Sequence, residues 1–256
     1  MDKTQQGFVT LSKASGVGTI EFFHPSHNSL PGNLLKQLAD TITRAGEDPE
    51  IKVVVLRSSG ERTFCAGASF DELISIENYQ EGKSFFLGFA NVINAMRKCP
   101  KFIIGRIQGK AVGGGVGLAS AVDYCMATKY ASVKLSELAV GIGPFVVGPA
   151  VERKVGTSAF SQMAINATEW QTAAWAKEKG LFNEVFDEVD QMDAYIEHLS
   201  GKLIASNPAA MKGLKEVFWE GCEDWDVLLD KRAGMSGELV LSTFTRDAIQ
   251  SFKAKA

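Results

Sequence analysis

Phe102-Ile103-Ile104-Gly105-Arg106-Ile107-Gln108-Gly109-Lys110-Ala111-Val112-Gly113-Gly114-Gly115-Val116-Gly117-Leu118-Ala119-Ser120-Ala121-Val122-Asp123-Tyr124-Cys125-Met126 is the stretch that decides the fold class. It opens on a β-rich apolar run at 102–104. The segment 109–119 then joins a strand to an apolar helix. A second strand-like run follows at 122–126. Strand, helix and strand in such close succession are the signature of an α/β domain with helices laid on the sheet.

Working outward toward the N-terminus, the same alternation continues. Phe8-Val9-Thr10-Leu11 and Gly18-Thr19-Ile20-Glu21-Phe22 read as two strands joined by a glycine-bearing turn. Residues 33–46 place Leu34, Leu35, Leu38 and Ile42 on one helical face. Val53-Val54-Val55-Leu56 is an uninterrupted apolar strand, as a sheet covered on both faces requires. A helix is expected over 82–98, burying Phe85, Phe86, Phe89, Val92, Ile93 and Met96.

Toward the C-terminus the pattern changes after about residue 155. Successive helices are expected at 158–165, 170–179, 190–206, 207–220, 223–234 and 243–254, with Pro208 suited to a first helical turn. No linker rich in Gly, Ser or Pro separates the halves. The expectation is a core over residues 1–195 and a helical region over 196–256, packed on that core or on a neighbouring subunit. Trp170, Trp175, Trp219 and Trp225 all fall in the helical half and suggest apolar surface being covered there.

Composition excludes several classes. The chain has 256 residues, 45% of them hydrophobic and 22% charged, so a sizeable core is expected. A net charge of −3 without a basic run argues against nucleic acid. The polar start MDKTQQGFVTLSK and the lack of a long apolar stretch point to a cytoplasmic chain outside the membrane. Cys65, Cys99, Cys125 and Cys222 match no metal spacing, and the first three sit in or beside apolar runs as reduced core thiols. His24, His27 and His198 lack partners at ligand spacing, so no metal is implied.

Three segments bear on chemistry. In Phe64-Cys65-Ala66-Gly67-Ala68-Ser69-Phe70 the small residues leave backbone N–H groups open to a ligand, although a tight turn before a helix explains them equally well. Residues 109–119 place glycines at a helix start, where free N–H groups favour negative charge. Their spacing is not that of a dinucleotide loop, and tight helix packing on the sheet is the competing explanation. In Lys134-Leu135-Ser136-Glu137-Leu138-Ala139-Val140-Gly141-Ile142-Gly143-Pro144-Phe145, one carboxylate stands in an apolar run. If buried, it would hold its proton up toward neutral pH, as a general acid/base needs. If it faces solvent at a strand end, it does nothing.

The order of these segments resembles the crotonase superfamily, the enoyl-CoA hydratase/isomerase family, over nearly the whole chain. The likeness includes Asn28-Ser29-Leu30, the CAGA loop at 65–68, the glycines at 113–115, the segment 136–144 and the tail 247–252. It implies a ββα spiral core with a C-terminal helical region. It also implies an acyl-CoA substrate, with no cofactor beyond the coenzyme A of the substrate itself, and assembly as a homotrimer or hexamer. By motif, the N–H groups of Ala68 and Gly114 would form an oxyanion hole for the thioester oxygen. Glu137 would be the acid/base. Ala66, Gly67, Phe70, Gly113 and Phe145 would line the substrate site, and Lys253 in the basic tail would meet CoA phosphates.

The sequence departs from the hydratases of this family at one place. They carry a second glutamate in the helix after the glycines, where this chain has Gly117. One carboxylate suffices to move a double bond, so a Δ3-to-Δ2 enoyl-CoA isomerase is the expected activity. Pro144-Phe145-Val146-Val147 supports it, because apolar side chains there keep out the water that hydration needs. Two alternatives stand beside it. One is a hydratase, including one for methylglutaconyl-CoA, in which Asp71, Glu72 or Glu77 supplies the second acid. The other is a CoA-binding subunit without activity.

Overall fold

The computed structural model describes residues 7–254, and the side chains up to residue 252. Strands β1 (Phe8–Ala14) and β2 (Val17–Phe23) form a two-residue hairpin in which Ala14 faces Val17. Its turn residues Ser15 and Gly16 both have positive φ, 50° and 83°, which gives the twist that tight hairpins require. Helix α1 (Gly32–Glu47) follows and buries Leu34, Leu35, Leu38 and Ile42, the face expected from the sequence.

The chain then winds through three similar turns. Each turn gives one strand to a large sheet and one to a small sheet, then a helix. The first is β3 (Val53–Ser58), β4 (Thr63–Cys65), α2 (Phe70–Ser75) and α3 (Tyr79–Lys98). The second is β5 (Ile103–Ile107), β6 (Lys110–Val112) and α4 (Gly114–Ala121). The third is β7 (Tyr124–Thr128), β8 (Ser132–Lys134), a 3₁₀ turn (Leu138–Val140) and α5 (Gly148–Ile165), broken at Gly156. This is the ββα spiral anticipated from the motifs.

Beyond α5 lie β9 (Gln171–Thr172), α6 (Ala173–Glu178), β10 (Glu184–Phe186), α7 (Val189–Ile204), α8 (Pro208–Phe218), α9 (Trp225–Leu239) and α10 (Thr243–Ala254). The large sheet has the order β1-β2-β3-β5-β7-β10 and is parallel from β2 onward. The small sheet has the order β4-β6-β8-β9, with β4, β6 and β8 parallel. Two expectations need correction. The span 170–179 begins as strand β9 before it turns helical, and β10 lies in the half read as wholly helical. Both are two- or three-residue strands, too short to carry a period of their own.

The alternate residues of β3 enter different clusters. Val54 and Leu56 join Ile20, Phe22 and the α1 and α3 side chains, whereas Val53 and Val55 pack with Ile104, Met126, Met192 and Ile196. The second set is covered by α7. The division drawn at residues 195 and 196 thus falls inside one continuous helix that lies on the large sheet. All four cysteines are buried free thiols. No helix among the described residues is long and apolar enough to cross a membrane.

Candidate active site

Parallel neighbours β4, β6 and β8 end side by side at Cys65, Val112 and Lys134. Adjacent strands lie about 4.8 Å apart, so the segments that leave those ends must converge. Ligands of parallel sheets gather outside such carboxyl ends. The three segments singled out in the sequence are the three that leave here.

Backbone geometry opens the site. Leu30 bridges Ala68 by donating its N–H to Gly67 O (2.8 Å), while Ser69 N–H donates to Leu30 O (3.4 Å). The N–H of Ala68, between these bonds, meets no acceptor among the described residues. Gly113 N–H donates to Lys134 O (2.8 Å) and Gly113 O receives the N–H groups of Val116 and Gly117. Gly114 is the first residue of α4, so its N–H has no acceptor within the helix. None elsewhere among the described residues meets it. The loops touch: a Cβ added to Gly67 would lie 3.2 Å from Gly114 N and 2.7 Å from Val112 O. Gly67 has φ 84° and Gly113 φ 51°, so both lack of bulk and left-handed backbone demand glycine there.

The loop carrying Ala68 is tied down from behind. Asn28, buried with φ 57°, donates through Nδ2 to Ser59 O (2.8 Å) and Thr63 O (2.9 Å) and receives His24 N–H (3.0 Å). Asparagine tolerates this left-handed conformation better than most residues. The Asn28-Ser29-Leu30 motif is therefore a brace for the CAGA loop.

Glu137 leads into the 3₁₀ turn after β8, and its carbonyl receives the N–H groups of Val140 (3.2 Å) and Ile142 (2.9 Å). The residue reaches solvent in part, but its carboxyl end does not: Oε2 is buried without a hydrogen-bond partner. The carboxyl lies over the glycine turn, with Oε1 3.0 Å from where a Gly113 Cβ would be. Burial pushes its pKa from the usual 4.5 up to about 7. A group so placed can take up or release a proton near neutral pH.

A cleft of about 570 Å³, counting its open mouth, joins these parts. Ala66, Gly67, Ala68, Phe70, Gly113, Gly114, Glu137 and Phe145 all line it. The side chain of Lys253 lies outside the described residues. The rest of the wall is apolar: Leu73 from α2, Phe86 and Phe89 from α3, and Val140, Ile142, Val146 and Val147 after β8. Ser136 and Ser236 are its only other polar side chains among the described residues. Ser236 had gone unnoticed in the sequence. The one signal for it was the run Ala233-Gly234-Met235-Ser236-Gly237, unusually small for a helix interior.

Glu137 is the only carboxylate among the described residues that lines the cleft. A Cβ at Gly117 would lie 2.5 Å from Val147 Cγ1 and 2.7 Å from Val147 Cβ, so a valine occupies the space beside that helix position. The acids considered as replacements lie elsewhere. Glu72 Oε2 receives Gly32 N–H (2.7 Å) at the start of α1, Glu77 is exposed before α3, and Asp71 is exposed on α2.

Comparison with known proteins shows the family of the chain. The family model described as enoyl-CoA hydratase/isomerase matches residues 12–255. A short-chain-enoyl-CoA hydratase of Clostridium acetobutylicum is 28% identical over 250 residues, covering 96% of this chain and 95% of that protein. A peroxisomal Delta(3,5)-Delta(2,4)-dienoyl-CoA isomerase of Arabidopsis thaliana is 25% identical over 244 residues, covering 89% and 86%. The crystal structure of an enoyl-CoA hydratase from Mycobacterium avium superposes with a TM-score of 0.86 at 25% identity, covering 100% of this chain and 98% of that one.

Proposed function

Because the chain belongs to the enoyl-CoA hydratase/isomerase family, and so is an acyl-CoA enzyme, we propose that it moves the double bond of a 3-enoyl-CoA thioester to the 2-position with Glu137 as the proton carrier. The observation that carries this is the lone carboxylate among the described residues of the cleft, with Val147 filling the space at Gly117.

The thioester oxygen sits between the N–H groups of Ala68 and Gly114. Ionised Glu137 removes a proton from C2. The C2–H electron pair forms a C1–C2 double bond, and the carbonyl pair moves onto oxygen, giving a dienolate. The two N–H groups stabilise that oxygen, each worth about 3–4 kcal/mol by the usual effect of such donors. The dienolate then collapses: the carbonyl re-forms, the C1–C2 pair becomes the C2–C3 double bond, and the former C3–C4 π pair takes the proton from Glu137 at C4. Atoms and charge balance, and no water enters. The apolar wall keeps the negative charge from bulk solvent, which strengthens both donors.

A hydratase is the second reading, favoured by the name of the Clostridium relative. It needs an acid or base to hold the water, and Glu137 alone must then serve both ends of the addition. An assay of 3-hexenoyl-CoA isomerisation beside crotonyl-CoA hydration separates the two. Isomerisation by the wild type should exceed hydration by at least about a hundredfold, and Glu137→Gln should remove it, since a general base typically contributes 10²–10⁴-fold. Hydration at a comparable rate sinks the isomerase. CoA binding without turnover of either substrate would favour a subunit that kept the fold alone.

Lys253 belongs to the same proposal as a contact for CoA phosphates. The Phe252 ring packs edge-on against Phe70 of the cleft with centroids 6.5 Å apart, which brings the end of α10 to the site mouth. Lys253→Ala should raise KM for acyl-CoA more at low salt than at high salt. An equal KM at low salt removes this residue from the binding site.

A further inference from the structure

Two polar side chains of the cleft, Ser136 beside Glu137 and Ser236, are left unused by the isomerisation. Ser236 projects from α9, is 1% exposed and lines the cleft. Its hydroxyl makes no hydrogen bond to any described residue, unlike Ser251, which bonds back to Asp247 O within its own helix (2.9 Å). A hydroxyl on an apolar wall loses its water when hydrocarbon fills the cleft, at a cost of about 1–3 kcal/mol, so alanine would serve a purely hydrocarbon ligand better here.

Its place along the cleft follows from α3. Phe89 of α3 packs over Gly114, while Gly82 of the same helix abuts Gly237, next to Ser236. Those two α3 positions are seven residues apart, hence about 10 Å along the helix axis. Phe86 lines the cleft between them. An extended chain advances about 1.2 Å per bond, so an acyl group held at Gly114 reaches the level of Ser236 after roughly eight bonds.

We propose that the cleft is built for acyl-CoA thioesters whose acyl chain carries an oxygen substituent toward its far end, with the Ser236 hydroxyl as its hydrogen-bond partner. This rests on reading the cleft as an acyl-CoA site. It adds a substrate class that double-bond migration does not demand.

Calorimetric binding of saturated thioesters tests it without turnover. The probes are ω-hydroxyacyl-CoAs of about six to ten carbons, each paired with the acyl-CoA that has methyl in place of hydroxyl. In the wild type at least one hydroxylated member should bind roughly three- to tenfold more tightly than its methyl counterpart, the worth of one neutral hydrogen bond. In Ser236→Ala that ratio should fall to one or below. If every pair in the wild type favours methyl, or if the preference survives Ser236→Ala, the proposal is overturned. Failure of all the thioesters to bind overturns the acyl-CoA reading and this one with it. Loss of isomerisation alone, judged with Glu137→Gln, leaves the binding ratios to decide Ser236.

Discussion

Glu137 combines a chemical advantage with a cost in stability, and both depend on pH. The carboxyl titrates near 4.5 in the unfolded chain and at about 7 when folded. Between those values the folded protein keeps a proton that the unfolded chain has lost. Stability therefore falls as pH rises through this window, and the loss is complete above it. The interval corresponds to about 3 kcal/mol at about 1.4 kcal/mol for each pH step. In Glu137→Gln this dependence disappears. Urea denaturation should thus show the variant gaining on the wild type by up to about 3 kcal/mol between pH 4 and pH 8. A constant difference would mean that the carboxyl is not held in an apolar setting. Activity has the opposite slope, because only the ionised form accepts the C2 proton. Wild-type kcat/KM should rise through pH about 7 and level off above it. Here the sequence was readable in part. A lone carboxylate in an apolar run marked Glu137, but only packing against Gly113 separates a buried acid from a strand-end residue in solvent.

Helix α4 shows why glycines occur where helix propensity argues against them. Gly114 exposes its N–H to the cleft and lies beneath the Phe89 ring, and Gly117 lies against Val147 at the entry to α5. Replacing a helical glycine by alanine normally gains about 1 kcal/mol. At Gly117 the added methyl would press on Val147 at 2.5 Å, and overpacking of this kind costs about 1–3 kcal/mol. The two effects differ in sign, and the clash is direct, so Gly117→Ala should lower stability in urea. Adding Val147→Ala should recover part of the loss, although each change alone is destabilising. A more stable Gly117→Ala protein would show that Val147 yields easily, and the case against a second acid at this position would weaken. Tight helix packing and an anion-binding turn were rival explanations for residues 109–119 in the sequence. In the structure Gly117 packs tightly against Val147, whereas Gly114, at the helix start, keeps an N–H without an acceptor among the described residues.

The helical region is held to the core by a buried polar junction outside the cleft lining. Lys215 of α8 and Asp123, just before β7, form an ion pair at 2.7 Å with side chains only 3% and 5% exposed. Asp123 also receives Ile103 N–H (2.7 Å) and Trp219 Nε1–H (3.2 Å), and Lys215 donates to Lys101 O (3.0 Å). Removing one partner strands the other charge in the interior. Lys215→Met should therefore cost about 3–5 kcal/mol in chemical denaturation. The double variant with Asp123→Leu should not return to wild-type stability, because the Ile103 and Trp219 donors then lose their acceptor. A cost under about 1 kcal/mol would show that water reaches the pair. The junction, together with Ser236 in the cleft wall and Phe252 against Phe70, makes the helical region one packed body with the core. Local pattern determined a great deal about this protein. Apolar runs and helical spacing specified the α/β class and most helices, and small residues marked Ala66, Ala68 and Gly114, because little or no side chain leaves the backbone open to close approach. Tertiary structure alone decided that β4, β6 and β8 end together, that Val147 fills the space beside Gly117, and that Ser236 enters a cleft whose other lining residues lie between Ala66 and Val147. Periodicity reports which face of an element is buried, whereas contacts between distant elements depend on how the spiral closes, and that information is spread over the whole chain.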